Sequence, residues 1–295
     1  MLTAEYWSRA GENAWCPGCG NFGILSALKQ ALAELQLEPW RVCIVSGIGQ
    51  AGKLPHYVKC NFLHGLHGRA LPTAIGVKLA NPGLKVIAVG GDGDMYGEGG
   101  GALLHAFRRN PEIACFVHNN GVYGLTKGQA SPTSAAGFRT RATPEGTALP
   151  GFNPLAAGIA MSGTFVARGF AGDREGLTRL MVLALKHKGF GFIDILQPCV
   201  TYNKVNTHKW YQERVFDIGT RQHDPLDIER ALERAREWPE ADPEGRIPLG
   251  LFYSAQRPSY DEQLPVLRQG APVEARPDPR KVEQAIEEFR QHGRD

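Results

Sequence analysis

Short apolar runs alternate with amphipathic ones between residues 22 and 196. Ile24, Leu25, Leu28, Leu32 and Leu35 fall at helical spacing, which predicts a helix over 22–35 with Asn21 as its cap. Residues 41–46, Arg-Val-Cys-Ile-Val-Ser, form a continuous apolar run and predict a buried strand. The same reading predicts strands over 84–89, 113–117, 164–167 and 191–196, and helices over 69–80, 99–109, 153–161 and 174–187. Pro72 must then lie in the first turn of its helix, where a missing N–H costs nothing. Strands that are apolar at nearly every position, separated by helices, belong to a parallel sheet covered on both faces. The expected fold class is therefore α/β: a doubly wound, mostly parallel sheet with helices on both faces.

Beyond residue 200 the alternation weakens. Residues 201–224 are mostly polar around Trp210-Tyr211 and read as a lid-like excursion. Residues 227–238 predict a charged amphipathic helix, 265–279 a proline-rich extended segment, and 280–291 a last helix. This suggests a domain over 1–200 and a C-terminal extension over 201–295 that packs on the same domain or on a partner chain. No internal repeat is evident.

Composition narrows the function by exclusion. A net charge of +3, with Lys and Arg scattered, argues against nucleic acid. No apolar run reaches the length needed to span a bilayer, so no membrane role is expected. Met1-Leu-Thr-Ala-Glu-Tyr-Trp7 lacks the basic and apolar regions of a signal peptide, which favours a cytoplasmic protein. Its six cysteines are then expected to be reduced, buried or metal-bound.

Ligands of open α/β sheets sit beyond the carboxyl ends of the strands. The polar motifs fall there: Ser46-Gly-Ile-Gly49, Gly90-Gly-Asp-Gly-Asp94, Asn119-Asn-Gly121 and Gln197-Pro-Cys199 each follow a predicted strand. Asp92 after one strand and Asn120 after the next are the pattern by which a protein holds Mg²⁺ against a diphosphate. Such a cation takes oxygen ligands and keeps phosphates in its shell. Asp92 offers a charged oxygen, Asn120 a neutral one, and the Val122 carbonyl a third. Gly91 and Gly93 let the backbone approach the phosphates. Taken alone, Gly-Asp-Gly could be only a turn; with Asn120 in place the site reading is preferred.

Trp15-Cys-Pro-Gly-Cys-Gly20 has spacing that lets two thiolates reach one metal or cluster. A zinc knuckle and a redox dithiol are alternatives. Cys199, at a strand end, can join such a set. Cys43 and Cys115 lie mid-strand and read as inert core residues.

The Asp92–Asn120 pattern resembles the thiamine-diphosphate (ThDP) motif. Ser46-Gly-Ile-Gly49, His64-Gly-Leu-His-Gly-Arg-Ala-Leu-Pro72, Gly76-Val-Lys-Leu-Ala-Asn-Pro82 and Val122-Tyr-Gly-Leu-Thr-Lys-Gly-Gln-Ala-Ser-Pro-Thr133 extend the likeness. Over residues 12–205 the chain resembles the β subunit of 2-oxoacid:ferredoxin oxidoreductases. The resemblance implies the ThDP-binding fold. It implies Mg²⁺ on Asp92, Asn120 and the Val122 carbonyl, and ThDP lined by Ser46, Gly47, Ile48, Gly49, His67, Gly91, Gly93, Asp94, Leu125 and Thr126.

It also implies one [4Fe–4S] cluster held by four cysteines, three of which map onto Cys16, Cys19 and Cys199. Many members carry the fourth straight after Ser-Gly-Ile-Gly, where this chain has Gln50. Cys60, ten residues on, is the expected replacement; a three-cysteine site with a labile iron, or no cluster, is the other outcome.

The implied reaction is decarboxylation of a 2-oxoacid, with ThDP as the electron sink, a cluster accepting single electrons, and coenzyme A taking the acyl group. Ferredoxin is the implied electron partner, and reductive carboxylation, the CO₂-fixing direction of a reductive TCA cycle, uses the same residues in reverse. His67 is a candidate for cofactor contact or proton handling, with a structural hydrogen bond as the bland alternative. Lys53 and Lys127, in loops bounded by glycine, are candidates for binding a substrate carboxylate, or are solvated surface lysines. The loop around Leu125 and Lys127 faces the substrate in the family. Two basic groups suit a dicarboxylate, and Gln50-Ala-Gly-Lys-Leu-Pro-His56 resembles members acting on 2-oxoglutarate; pyruvate stays open. No second module supplies the carboxylate that ThDP needs at its aminopyrimidine end. The family places that glutamate on an α subunit, so an α2β2 heterotetramer is expected. Two rivals stand beside this reading: a non-redox ThDP decarboxylase or carboligase, and a zinc-stapled interaction subunit with a degenerate pocket.

Overall fold

The computed structural model describes residues 1–239, 245–276 and 278–292. Its first half alternates as α1 (Asn21–Glu34), β1 (Val42–Ser46), β2 (Asn61–His64), α2 (Ala70–Ala80), β3 (Lys85–Gly91), α3 (Gly100–Arg109) and β4 (Ala114–Asn119). A small hairpin follows, β5 (Val122–Tyr123) and β6 (Gln129–Ala130), then α4 (Pro154–Ala160), β7 (Phe165–Phe170), α5 (Arg174–Lys186) and β8 (Gly191–Leu196). The remainder comprises α6 (His208–Gln212), β9 (Val215–Asp217), α7 (Ile228–Ala235), β10 (Ile247–Ser254), α8 (Tyr260–Gln263) and α9 (Pro279–His292).

Eight strands form one sheet in the order β2-β1-β3-β4-β8-β7-β10-β9. The first six are mutually parallel; β10 pairs antiparallel with β7 and parallel with β9. Because strand side chains alternate faces, the buried runs feed two layers. Ile44, Ile87, Phe116 and Ile193 pack with Ile24 and Leu28 of α1 and Met181 of α5. Val45, Val86, Val117 and Phe192 pack on the other side with Leu71, Phe107 and Leu155 of α2, α3 and α4. Each fully buried side chain of this kind contributes about 1.5–3 kcal/mol.

Asn21 is not the cap of α1. Gly20 takes that position, and Asn21 is the first helical residue, buried with its Oδ1 2.8 Å from His118 Nδ1. The Asn21 side chain is taken up by His118 and caps nothing, while residue 20 must be glycine because a Cβ there would sit 2.9 Å from Pro198 Cδ. Pro72 does fall in the first turn of α2.

Three strands of this eight-stranded sheet carry no clear signal in the sequence. β2 is an edge strand whose residues face solvent on both sides, so it has no apolar alternation. β9 is only three residues long and half-buried. β10 contains Pro248 and Gly250, residues that ordinarily mark loops. Pro248 stands where β10 pairs with β9 alone, and Gly250 has φ +129° beside a bulge between Leu251 and Tyr253. Within the 201–224 segment Tyr211 is 4% exposed and packs with Phe170, Leu196, Ile247 and Leu249. The segment expected over 265–279 contains two short helical turns, Pro265–Gln269 and Pro272–Glu274, while Pro277 lies outside the described residues. Among the described residues no helix is long and apolar enough to cross a membrane.

Candidate active site

Register brings the carboxyl ends of β3, β4 and β8 level, with Gly91 opposite His118 and Asn119 opposite Leu196. Asp92 leaves β3 and enters a single wide turn over Gly93–Glu98. Its side chain is buried. Oδ2 accepts hydrogen bonds from Ser131 Oγ (2.5 Å), Thr133 Oγ1 (2.7 Å) and the Gly121 N–H (3.0 Å). Burial pushes the Asp92 carboxyl above the usual range, and the Ser131 and Thr133 hydroxyls pull it back.

Asn120 follows β4. Its Oδ1 accepts from the Val122 N–H at 2.9 Å, and its Nδ2 donates to Gln197 Oε1 at 2.8 Å. Asn203 Nδ2 donates to the Asn120 carbonyl at 2.9 Å. Asp92, Asn120 and Val122 thus meet at one cleft, whose wall also includes Ile48, Gly49, His67, Gly91, Gly93, Asp94, Leu125 and Thr126.

Asp94 is committed to the protein. Its Oδ1 accepts from His67 Nδ1 (2.6 Å), the Gly68 N–H (2.7 Å) and the Ile48 N–H (3.2 Å), which ties two loops together. Its Oδ2 is buried without a partner, and a Cβ on residue 47 would lie 2.0 Å from it. Burial pushes the Asp94 carboxyl up, opposed mainly by the bond from Gly68. His67 is held between two carboxylates, since its Nε2 lies 3.1 Å from Glu98 Oε2. Ser46 and Gly47 are not in the cleft wall: Ser46 is fully buried and its Oγ donates to the Gly52 carbonyl at 2.8 Å, shaping the loop from behind.

The two lysines separate from the cleft. Lys53 stands in the helical turn Ala51–Tyr57, and its charge adds to the burial, His64 and Arg9 that hold His56 below the usual histidine range. Lys127 is exposed with φ +84° in the turn that closes the β5–β6 hairpin, next to Leu125 and Thr126. Neither contributes to the wall of the cleft.

A second, smaller cavity adjoins the first. Cys16, Cys19 and Cys199 line it together with Gln50, Asn120, Gly124 and Gln197. Gln50, Asn120 and Gly124 belong to both walls. Gln197 links them chemically: its Oε1 accepts from Asn120, and its Nε2 donates to Cys19 Sγ at 3.3 Å. Thr201 Oγ1 donates to Cys16 Sγ at 3.2 Å, and the Tyr202 N–H to Cys199 Sγ at 3.4 Å. Burial, with Cys199 and Cys16 nearby, pushes the Cys19 thiol up to about 11. Among the described residues no three His, Cys, Asp or Glu side chains close on one point as a mononuclear site would require.

Cys60 does not join this set. It precedes β2, whose Asn61 pairs with Cys43 at the start of β1, so it lies at the amino edge of the sheet while Cys199 follows the carboxyl end of β8. Burial, aided by Cys43, pushes its thiol up to about 12. Parallel register sets this separation, and sequence distance from Gln50 did not convey it. Cys43 and Cys115 are buried mid-strand.

His118 is fully buried beneath the site. Burial pushes its pKa down to about 3, so the ring is neutral and Nδ1–H donates to Asn21 Oδ1. The unfolded chain therefore takes up a proton that the folded chain refuses. Stability is fully present above pH 6.5 and falls toward pH 3, by about 1.4 kcal/mol per pH unit. His118→Gln keeps a donor without titrating and is expected to flatten this acid limb in urea midpoints measured across pH; parallel decline of both proteins would refute the assignment.

The family model described as "Thiamine pyrophosphate enzyme, C-terminal TPP binding domain" matches residues 47–195, and the model for the C-terminal region of the pyruvate ferredoxin oxidoreductase beta subunit matches residues 199–269. The 2-oxoacid:ferredoxin oxidoreductase subunit beta of Saccharolobus solfataricus is 47% identical over 263 residues, covering 85% of each chain. The chain belongs to the 2-oxoacid:ferredoxin oxidoreductase family, as its β subunit. The 2-oxoglutarate synthase subunit KorB of Methanocaldococcus jannaschii is 32% identical to this β subunit over 254 residues, covering 85% of it and 90% of the relative. The solved 2-oxoglutarate:ferredoxin oxidoreductase from Magnetococcus marinus, with 2-oxoglutarate, coenzyme A and succinyl-CoA bound, superposes with a TM-score of 0.87 at 36% identity, covering 96% of each chain. The β subunit is thus part of a ThDP-dependent 2-oxoacid:ferredoxin oxidoreductase, and a β subunit implies an α partner.

Sequence reasoning passed over Ser131, Thr133, Glu98 and Gln197. Ser131 and Thr133 lie within the Val122–Thr133 stretch and Gln197 stands beside Cys199, but hydroxyls and amides show no distinctive spacing until the loops close.

Proposed function

We propose that the β subunit binds Mg²⁺ and the diphosphate of ThDP at Asp92, Asn120 and the Val122 carbonyl, and an iron–sulfur cluster through Cys16, Cys19 and Cys199. With its α subunit it would convert 2-oxoglutarate and coenzyme A to succinyl-CoA and CO₂, passing electrons to ferredoxin, or run the reverse reaction. The observation that carries this reading is the shared wall of the two cavities, with Gln197 bonded to Asn120 on one side and Cys19 on the other.

The residues suit these groups. Gly49 and Gly91 present bare backbone to the cleft: a Cβ on residue 49 would meet nothing within 4 Å, and one on residue 91 nothing nearer than 3.8 Å. A diphosphate can therefore approach the peptide groups directly. A buried carboxylate whose pKa burial has raised gains from a cation beside it. When bound, ThDP supplies the electron sink for loss of CO₂, and a cluster accepts single electrons. Asp94 and His67 hold the Ile48–Gly49 loop and the Gly93–Glu98 turn at fixed separation, which defines the width of the cleft. Gln197 orients the Asn120 amide so that its oxygen faces away from the cysteines.

The substrate assignment rests on the relatives whose names give 2-oxoglutarate and on Lys127, exposed two residues beyond Leu125 of the cleft wall. Pyruvate is the second reading, favoured by the family model matched over 199–269. The α–β complex, assayed anaerobically with ferredoxin, is expected to show higher kcat/KM for 2-oxoglutarate than for pyruvate. Lys127→Ala should raise KM for 2-oxoglutarate about tenfold, the loss of one charge-assisted contact, and leave pyruvate unchanged. A preference for pyruvate overturns the dicarboxylate reading.

A further inference from the structure

Three thiols line the smaller cavity, and the residue that completes its wall on the Ser46–Gly49 side is Gln50. Its backbone is fixed there, because the Gln50 carbonyl accepts from Trp15 Nε1 at 2.8 Å. Its side chain lies against Gly124, where an added Cβ would stand 3.7 Å from Gln50 Cγ. Gln50 Oε1 is buried and has no hydrogen-bond partner. A buried carbonyl oxygen left without a partner is unfavourable, so it calls for a ligand. The remaining cysteines cannot supply one: Cys43 and Cys115 are buried mid-strand, and Cys60 lies at the opposite edge of the sheet.

We propose that this β subunit holds its iron–sulfur cluster through three thiolates only, with Gln50 Oε1 facing the fourth iron as an exchangeable oxygen ligand. This rests on the cluster reading above and goes beyond it by assigning the open position. A neutral amide oxygen is a weaker iron ligand than a thiolate, since iron–sulfur centres take soft donors. The fourth iron is therefore the one that leaves. A one-electron outer-sphere oxidant such as ferricyanide removes one electron from a [4Fe–4S]²⁺ core and becomes ferrocyanide. The Fe–O(amide) bond and the bonds from that iron to its sulfides break, Fe²⁺ departs, and [3Fe–4S]⁺ stays on Cys16, Cys19 and Cys199. A reductant with added Fe²⁺ reverses the loss.

The test uses the anaerobically purified α–β complex, wild type beside Gln50→Cys and Cys60→Ser. Iron and acid-labile sulfide are counted before and after ferricyanide and desalting, and paramagnetic resonance spectra are recorded. The wild type should lose about one iron in four with its sulfide retained, show the signature of an oxidised three-iron cluster, and recover with dithionite and ferrous iron. Gln50→Cys should keep its iron through the same treatment, and Cys60→Ser should match the wild type. If the wild type keeps all its iron, or if Cys60→Ser starts with less, the Gln50 assignment is overturned while the cluster reading stands. Absence of iron and sulfide from every protein overturns the cluster reading itself, and this proposal with it. Should Gln50→Cys fail to assemble, the wild-type oxidation result decides alone.

Discussion

Asp92→Asn should abolish Mg²⁺-dependent retention of ThDP by the α–β complex, with affinity and turnover falling about 100-fold or more. The estimate starts from the effect of outer partners of a metal ligand, which cost about 10–100-fold, and removing a charged ligand costs at least as much. The geometry explains why the amide cannot substitute. Oδ2 of Asp92 faces three donors, from Ser131, Thr133 and Gly121, so an Asn must set either its NH₂ against them or its single oxygen there and none toward the cation. The effect on stability runs the other way. Burial holds the folded-state pKa of Asp92 above its ordinary value, so its contribution to stability is present below that ordinary value and lost as pH rises through the raised one. Burial disfavours the ionised form of Asp92 in the ligand-free protein, and Asp92→Asn has no ionised form to desolvate. The ligand-free variant should therefore melt no lower than the wild type while failing to gain from Mg²⁺ and ThDP. Calorimetric titration and melting curves with and without both ligands check this. A variant that binds ThDP within twofold of the wild type sinks the metal-ligand role.

Asp194→Ala should destabilise the β subunit by about 3–5 kcal/mol, because it leaves Arg168 buried without its counter-charge. Both side chains are at most 3% exposed, with Arg168 Nε 3.4 Å from Asp194 Oδ2. Burial works against the charge on each, and each holds the other partly in check. Asp194 also accepts from Tyr96 OH at 2.7 Å and from Asn119 Nδ2 at 3.0 Å, so one truncation strands three donors. Arg168 lies 5.1 Å from the Trp238 ring, a contact that does not replace the carboxylate. Urea midpoints measure the loss. Removing both charges, as in Asp194→Leu with Arg168→Met, should recover most of it, since a buried pair often has apolar replacements of similar stability. If the double variant is as unstable as the single, the cause is packing and not the uncompensated charge. Asn119 precedes Asn120 at the end of β4, so Asp194→Ala should also weaken ThDP binding, by about tenfold.

How much of the site was legible in the chain depends on how each residue is constrained. Asp92, Asn120 and the glycines around them are tied to strand ends, and strand ends can be read from apolar runs. The same holds for Cys16, Cys19 and Cys199, since two are local neighbours and the third ends β8. Cys60 and Lys53 were placed by nearness in sequence to the Ser46–Gly49 loop. The turn over Ala51–Tyr57 carries the chain back to the amino edge of the sheet before β2 begins, so Cys60 lies there, which a linear reading cannot see; Lys53 stays beside the loop but outside the cleft wall. β10 was hidden for a related reason, since Pro248 and Gly250 are tolerated only because of which neighbours each faces.

The alternation of the buried parallel strands with their helices, the Asp92–Asn120 pair and the strand-end and Cys-x-x-Cys positions of Cys16, Cys19 and Cys199 are determined by the sequence itself, because periodicity and strand-end position are local properties. The tertiary structure alone decided that the two cavities share Gln50, Asn120 and Gly124, that Gln197 bridges them, that Asp94 binds protein groups, and that Cys60 stands apart. Those relations depend on the parallel register of strands distant in sequence and on desolvation at their meeting edge. Neither exists until the sheet has closed.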